Sequence, residues 1–282
     1  MKRNLFSLLA LLLCAALLLC ACGKKDPAPV EPTDPAAPAE PVQPAEPTEP
    51  AEPVQPTEPV QSAPPQIDSD SRAGSYTPGG DMPDLLRYDL TWPVCDALPG
   101  VSLYYQQQAA ELVSYFEADI EGVQSRYADA VEYQLEFMPD SHEMNFSVMR
   151  NDGALLSVLQ DLYEHLGGVH PGMSYFARTW KVEGEQLLAL DELFTVPEGE
   201  WLPRLLQAVE AQMDQRESED GPLYYENARA DLPDLFSPDD FYLTDDCLVI
   251  FFNEYSIGPY MIGAQFFKIP LTDLSDITEA WL

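Results

Sequence analysis

From Pro29 to Pro59 a proline stands at every third position without a miss. No α-helix or sheet strand tolerates that spacing, because each ring removes a backbone donor and fixes φ. Polyproline II has three residues per turn, so the rings align on one face of an extended rod. Glu31, Asp34, Glu40, Glu46, Glu49, Glu52 and Glu58 each precede a proline, and their mutual repulsion keeps the rod extended. At its full rise per residue the stretch reaches roughly 90–100 Å. PxxP docking is the other use of such a segment, but it belongs mainly to intracellular modules. A spacer is expected. Residues 60–80, with Ser-Ala-Pro-Pro and Thr-Pro-Gly-Gly, read as flexible loop that completes a linker over 22–80.

Ahead of the rod, Lys2 and Arg3 precede an apolar run from Leu5 to Ala21 that ends in Leu19-Cys20-Ala21-Cys22-Gly23. A charged head, an apolar middle and a small-residue end describe a secretory signal over 1–21. Its ending has the form of a bacterial lipoprotein signal, which makes Cys22 the expected lipidation site. The run is at the lower limit of a membrane span. The expected location is the extracellular face of the cell membrane, held by the lipid.

About 200 residues follow the linker, enough for a core of one domain or two packed subdomains, about 85–182 and 183–282. From Tyr76 onward there are 38 acids against 9 bases. Such a surface repels nucleic acid and anionic lipid and attracts basic proteins. Cys95 and Cys247 are the cysteines of this region, and outside the cell a disulfide between them is permitted.

Periodicity predicts α+β: an antiparallel sheet packed by two long helices. Strands are expected at Arg87–Pro93, 131–137, 144–148, 154–166, 176–182, 241–243, 248–252 and 266–270. Leu248–Phe252 is apolar throughout and reads as buried on both faces. Helices are expected over 103–126 and 201–216, with a short one after Asp191 and a helical tail. Gly167-Gly168-Val169-His170-Pro171-Gly172 is the densest turn signal.

The order of short motifs resembles a known family. Tyr88…Trp92-Pro93 comes first, then Leu156-Ser157-Val158, Gly167-Gly168-Val169-His170-Pro171 and Leu188-Ala189-Leu190-Asp191-Glu192-Leu193-Phe194. Phe241-Tyr242-Leu243-Thr244-Asp245-Asp246, Asn253…Tyr255…Ile257-Gly258-Pro259-Tyr260 and Ile269-Pro270 follow. The family is the paired extracellular domain, of DUF4163 and DUF3298 type, of the anti-sigma factor RsiV and of PdaC-type peptidoglycan deacetylases. The resemblance spans about 85–282. It implies the fold and, through RsiV, binding of the basic protein lysozyme. The inward anti-sigma segment and the separate deacetylase domain are not carried over. Family members have glycine where this chain has Cys247, so the turn geometry there is expected to differ.

No catalytic motif or cofactor site is read. His142, His165 and His170 lack zinc-site spacing, and His170 is expected to hydrogen-bond inside the glycine turn. Paired acids (Asp239-Asp240, Asp245-Asp246, Glu219-Asp220) arise by chance in so acidic a chain. Tyr255 and Tyr260, with Asn253 and Glu254, offer a candidate binding surface beside Gly258-Pro259, with Phe252 as a further aromatic. The expectation is a non-catalytic acidic binding domain for a cationic wall hydrolase. The alternative is a peptidoglycan-binding module, and a hydrolase ranks third.

Overall fold

The computed structural model describes residues 63–80 and 82–282. The expected signal, Cys22 and the proline rod lie outside the described residues.

The fold is α+β. Among the described residues nine strands form two sheets: β1 (Asp68–Tyr76), β2 (Leu86–Val94), β3 (Asp140–Asn151), β4 (Leu155–His165), β5 (Gly172–Lys181) and β6 (Gln186–Leu187) lie side by side in that order. β7 (Phe241–Leu243), β8 (Cys247–Phe252) and β9 (Gln265–Pro270) form the second sheet. Four α-helices accompany them among the described residues: α1 (Pro99–Ala118), α2 (Ile120–Tyr133), α3 (Glu198–Asp220) and α4 (Ala228–Leu235).

Several expectations are corrected. Residues 68–76 are not loop but the nine-residue edge strand β1, antiparallel to β2. Their polar alternation hid this, since all but Gly74 and Tyr76 are exposed. The first sheet is mixed rather than antiparallel, because β2 pairs parallel with β3. A parallel neighbour needs a crossover, which α1 and α2 provide. The expected single helix is therefore two, broken at Asp119, and the expected strand 131–137 is the end of α2 and a loop. Val131 and Tyr133 alternate without being buried (61% and 65% exposed). Gln134, at φ 53°, ends that helix in the left-handed conformation.

α1 packs on β2 through Val101, Tyr105, Ala109, Leu112 and Phe116, against Leu90, Trp92, Met144, Leu156 and Trp180. Its first amides are satisfied from a distance. The Glu185 carboxylate accepts the N–H groups of Gly100 (2.5 Å) and Val101 (3.0 Å), placing negative charge where the helix dipole favours it.

The continuous apolar run of β8 is buried on both faces, as read from the sequence. Val249 and Phe251 join Tyr242 and Ala177 towards the first sheet. Leu248, Ile250 and Phe252 point the other way, with Trp201, Leu205, Val209 and Met213 of α3. The layers are thus helix, six-stranded sheet, three-stranded sheet, helix. Inside the seam between the sheets, Leu243 N–H donates to Ser157 Oγ (3.1 Å), which lies 2.8 Å from Thr179 Oγ1.

Cys95 and Cys247 are both free thiols. Cys95 is buried in the α1 core and Cys247 flanks the inter-sheet cluster; the bridge that the sequence permits is not present. Cys247, where the resemblance implies glycine, does not have a positive φ. The Thr244 side chain makes this turn, its Oγ1 accepting the Cys247 N–H at 3.0 Å while Thr244 N–H donates to the Cys247 carbonyl at 2.9 Å.

Candidate binding surface

Two segments far apart in sequence meet at one end of the molecule: the glycine turn after β4 and the loop 253–262 after β8. Outward amides of β5 hold them together. Tyr175 N–H donates to Asn253 Oδ1 at 2.6 Å, and Asn253 Nδ2 donates back to the Tyr175 carbonyl at 3.1 Å. Two residues away, Met173 N–H donates to Glu254 Oε2 at 3.1 Å. Buried Ile257 pins the middle of the loop in the second core, and its carbonyl accepts the Tyr225 N–H at 3.0 Å. Gly258 is closely packed: a Cβ there would stand 2.3 Å from Ile262 Cδ1, the end of a side chain that would have to move, and 3.1 Å from the Leu223 carbonyl.

So anchored, the loop presents aromatic rings. His170 stacks on Tyr260 with centroids 3.9 Å apart, and Tyr255 lies 5.9 Å from Tyr260 at 27°. His170 Nδ1 is 3.1 Å from the Pro171 carbonyl, which can only accept, so Nδ1 carries the proton. Nε2 in the neutral ring then accepts the Tyr255 hydroxyl, 3.3 Å away. His170 does bond within the glycine turn, as expected, but it also links that turn to the second loop.

Tyr255 holds φ at 63°, with Ser256 N–H bonded to the Asn253 carbonyl at 3.1 Å. It thus occupies the turn position that favours glycine. A bulky residue there is strained, and such strain concentrates at working surfaces. The residue is 52% exposed. Its hydroxyl is held above the ordinary tyrosine range by desolvation first, then by the Glu254 carboxylate and the Tyr260 and Tyr225 hydroxyls. It is therefore protonated at neutral pH and is not an activated nucleophile.

The residues singled out from sequence divide clearly. Asn253, Glu254, Tyr255, Tyr260 and the turn Gly167, Gly168, His170, Pro171 are brought together. Phe252 is buried in the core instead. Val169 and Met261, which sequence reading passed over, are among the most exposed apolar side chains described. The signal was there in principle: an apolar residue at a turn tip has no core to enter. His142 is buried, stacked on Phe116 at 3.7 Å with Nδ1 3.1 Å from Glu164. His165 accepts the Gly167 N–H at 3.3 Å. Among the described residues, no group of three or more His, Cys, Asp or Glu is placed to hold a metal.

The acids are poorly balanced. Arg87, Arg126, Arg150, Lys181, Arg204 and Arg229 are each committed to carboxylates of their own chain. Arg178 and Arg216 donate to neutral oxygens. Most of the 38 acids therefore meet solvent without a counter-charge.

The family model described as "Protein of unknown function (DUF3298)" matches residues 191–272, an interval that runs from the short helix at Leu190–Leu193 to the end of β9 and contains the aromatic loop. A member of the DUF3298 family from Bacteroides fragilis NCTC 9343 is similar in structure at a TM-score of 0.56, with 18% identity over 78% of this chain and 96% of that one. A DUF3298 family protein from Pseudomonas aeruginosa PAO1 is similar at 0.52, with 15% identity over 76% and 95%. At these identities the likeness is one of fold. No curated protein matches the sequence.

Proposed function

We propose that this chain is a lipid-anchored protein whose folded part is a non-catalytic module that binds a basic extracellular protein through the 166–172 and 253–262 loops. One observation carries the reading: His170, Tyr255 and Tyr260 are stacked at the surface, beside Glu254, on a domain whose acids outnumber its bases about fourfold. Rigid aromatics supply contact area at small entropic cost. Uncompensated acids would speed the approach of a cation, an effect that salt screens. A lipid on Cys22 and the proline-rich stretch after it would hold the module away from the outer membrane face. The resemblance to the RsiV-type paired domain, with a DUF4163-like first half, supports lysozyme as the first partner to try.

The test is capture of lysozyme by the immobilised protein across a salt series. Retention at low ionic strength that fades with salt, and is lost in Tyr255→Ala together with Tyr260→Ala, is the expected result. No retention at low salt would refute the reading. Exposed tyrosines also favour a second reading, stacking on wall glycans, which predicts retention on purified peptidoglycan that survives high salt.

A further inference from the structure

The six-stranded sheet treats its two edges differently. On the β5 side the outward groups are covered in turn: Met173 and Tyr175 by Glu254 and Asn253, the Ala177 carbonyl by Arg178 (2.7 Å), and Trp180 and Lys181 by β6. The β1 side carries no cover from another segment among the described residues; only the neighbouring Asp70 carboxylate reaches one of its amides, that of Ser71. It offers nine paired-only-once residues, Asp68–Tyr76, flat against β2 without a register shift.

The outward set on β1 is fixed by one contact. Ser71 N–H is bonded to the neighbouring Asp70 Oδ1 at 2.8 Å, so it is not spent on β2; a second strand would take over this amide and release the Asp70 carboxylate. By strand alternation Ser69, Ser71, Ala73 and Ser75 face outward. All are small, and nothing on them obstructs another backbone. Asp70 and Arg72 flank the centre. Arg72 has no ion pair among the described residues and lies over the Tyr88 ring, 5.9 Å from its centroid.

We propose that β1 is the seam of a homodimer, in which two copies pair antiparallel about a two-fold axis at Ser71 and Asp70 of each faces Arg72 of the other. Several features select this occupant. Centring the axis on Ser71 aligns Ser71 with Ser71 and Ser69 with Ala73, in pairs that exchange about six N–H···O bonds. The same axis sets Asp70 opposite Arg72 twice, in the non-hydrogen-bonded pairs where side chains approach most closely. An acid and an unpaired base on an edge repel most foreign strands. A strand of this sequence, reversed, satisfies both. Repulsion between two acidic bodies is long-ranged and falls off within about 8 Å at physiological salt, whereas the seam contacts are direct.

The full chain carrying Ser71→Cys tests this by mild oxidation in native membranes. Facing Cα atoms about 5.5 Å apart suit a disulfide, so S71C should run as a covalent dimer. Ser75→Cys should not, since the two copies of that residue are some eight positions out of register. Asp70→Arg or Arg72→Asp, each in the S71C background, should reduce the dimer at least fivefold. Combining them should restore it, because opposite charges face again. Monomeric S71C, equal cross-linking by S75C, or no recovery in the double swap would each overturn the proposal.

Discussion

The side-chain amide of Asn253 brackets the backbone of Tyr175, accepting its N–H at 2.6 Å and donating to its carbonyl at 3.1 Å. A neighbouring strand makes the same pair of bonds, so one side chain stands in for a strand residue where the two sheets meet. Asn253→Ala should cost about 1–3 kcal/mol, since it leaves both groups of Tyr175 without their partners. Asn253→Asp should recover only part of that, because a carboxylate accepts the N–H but cannot donate to the carbonyl. Denaturant unfolding measures both, and hydrogen exchange at Tyr175 should rise in both variants.

Tyr255 separates stability from binding. Its φ of 63° suits glycine, and the residue is half exposed, so Tyr255→Gly should leave stability unchanged or raise it by about 0.5–1 kcal/mol. The same change removes the ring that faces Tyr260 and the donor to His170. Binding should fall while thermal stability holds. Loss of both together would mean that the ring serves the fold rather than a partner.

Much of the architecture was legible because apolar spacing reports burial. The all-apolar Leu248–Phe252 announced a strand covered on both faces, and the glycine-proline step beside Tyr255 and Tyr260 marked those rings, although nothing local tied them to His170. Three elements escaped for distinct reasons. β1 has almost no apolar residues because it lies at an edge, and an edge strand need not bury anything. Val131, Tyr133 and Leu135 alternate like a strand, yet the parallel β2–β3 pairing requires helix there, a constraint that acts from outside the segment. The bonds of Asn253 to Tyr175 join residues 78 apart, and no local pattern encodes them.

Gly74 sets the register of β1. It pairs with Tyr88, and a Cβ at position 74 would stand 2.3 Å from that hydroxyl oxygen and 2.4 Å from the ring carbon bearing it. The tyrosine ring crosses the strand where no side chain intervenes. Gly74→Val must displace either the ring, which is buried, or the strand, which is not. Overpacking of this kind costs about 1–3 kcal/mol, and the exposed strand should yield. Protease cleavage within 68–76 should accelerate in the variant, with the far core at α3 unaffected by hydrogen exchange.

Asp240, at the head of β7, has its carboxyl pushed up to about 7 by burial first and then by the charge of Asp239, with Arg178 opposing. The folded state thus holds this proton more tightly than the unfolded chain, whose carboxyl titrates near 3.8. Its contribution is complete below that lower value and is lost as pH rises through 7. The shift corresponds to at most about 4 kcal/mol, less once partial solvent access is allowed for. Asp240→Asn removes the titration and keeps the shape. The variant should match the native protein in stability near pH 4, then exceed it increasingly towards pH 8. Because the lowered carboxyls of Asp152 and Glu217 titrate alike in both proteins, the difference between the two stability curves isolates residue 240. A difference that stays flat from pH 4 to 8 would show that this carboxyl is solvated in the folded state.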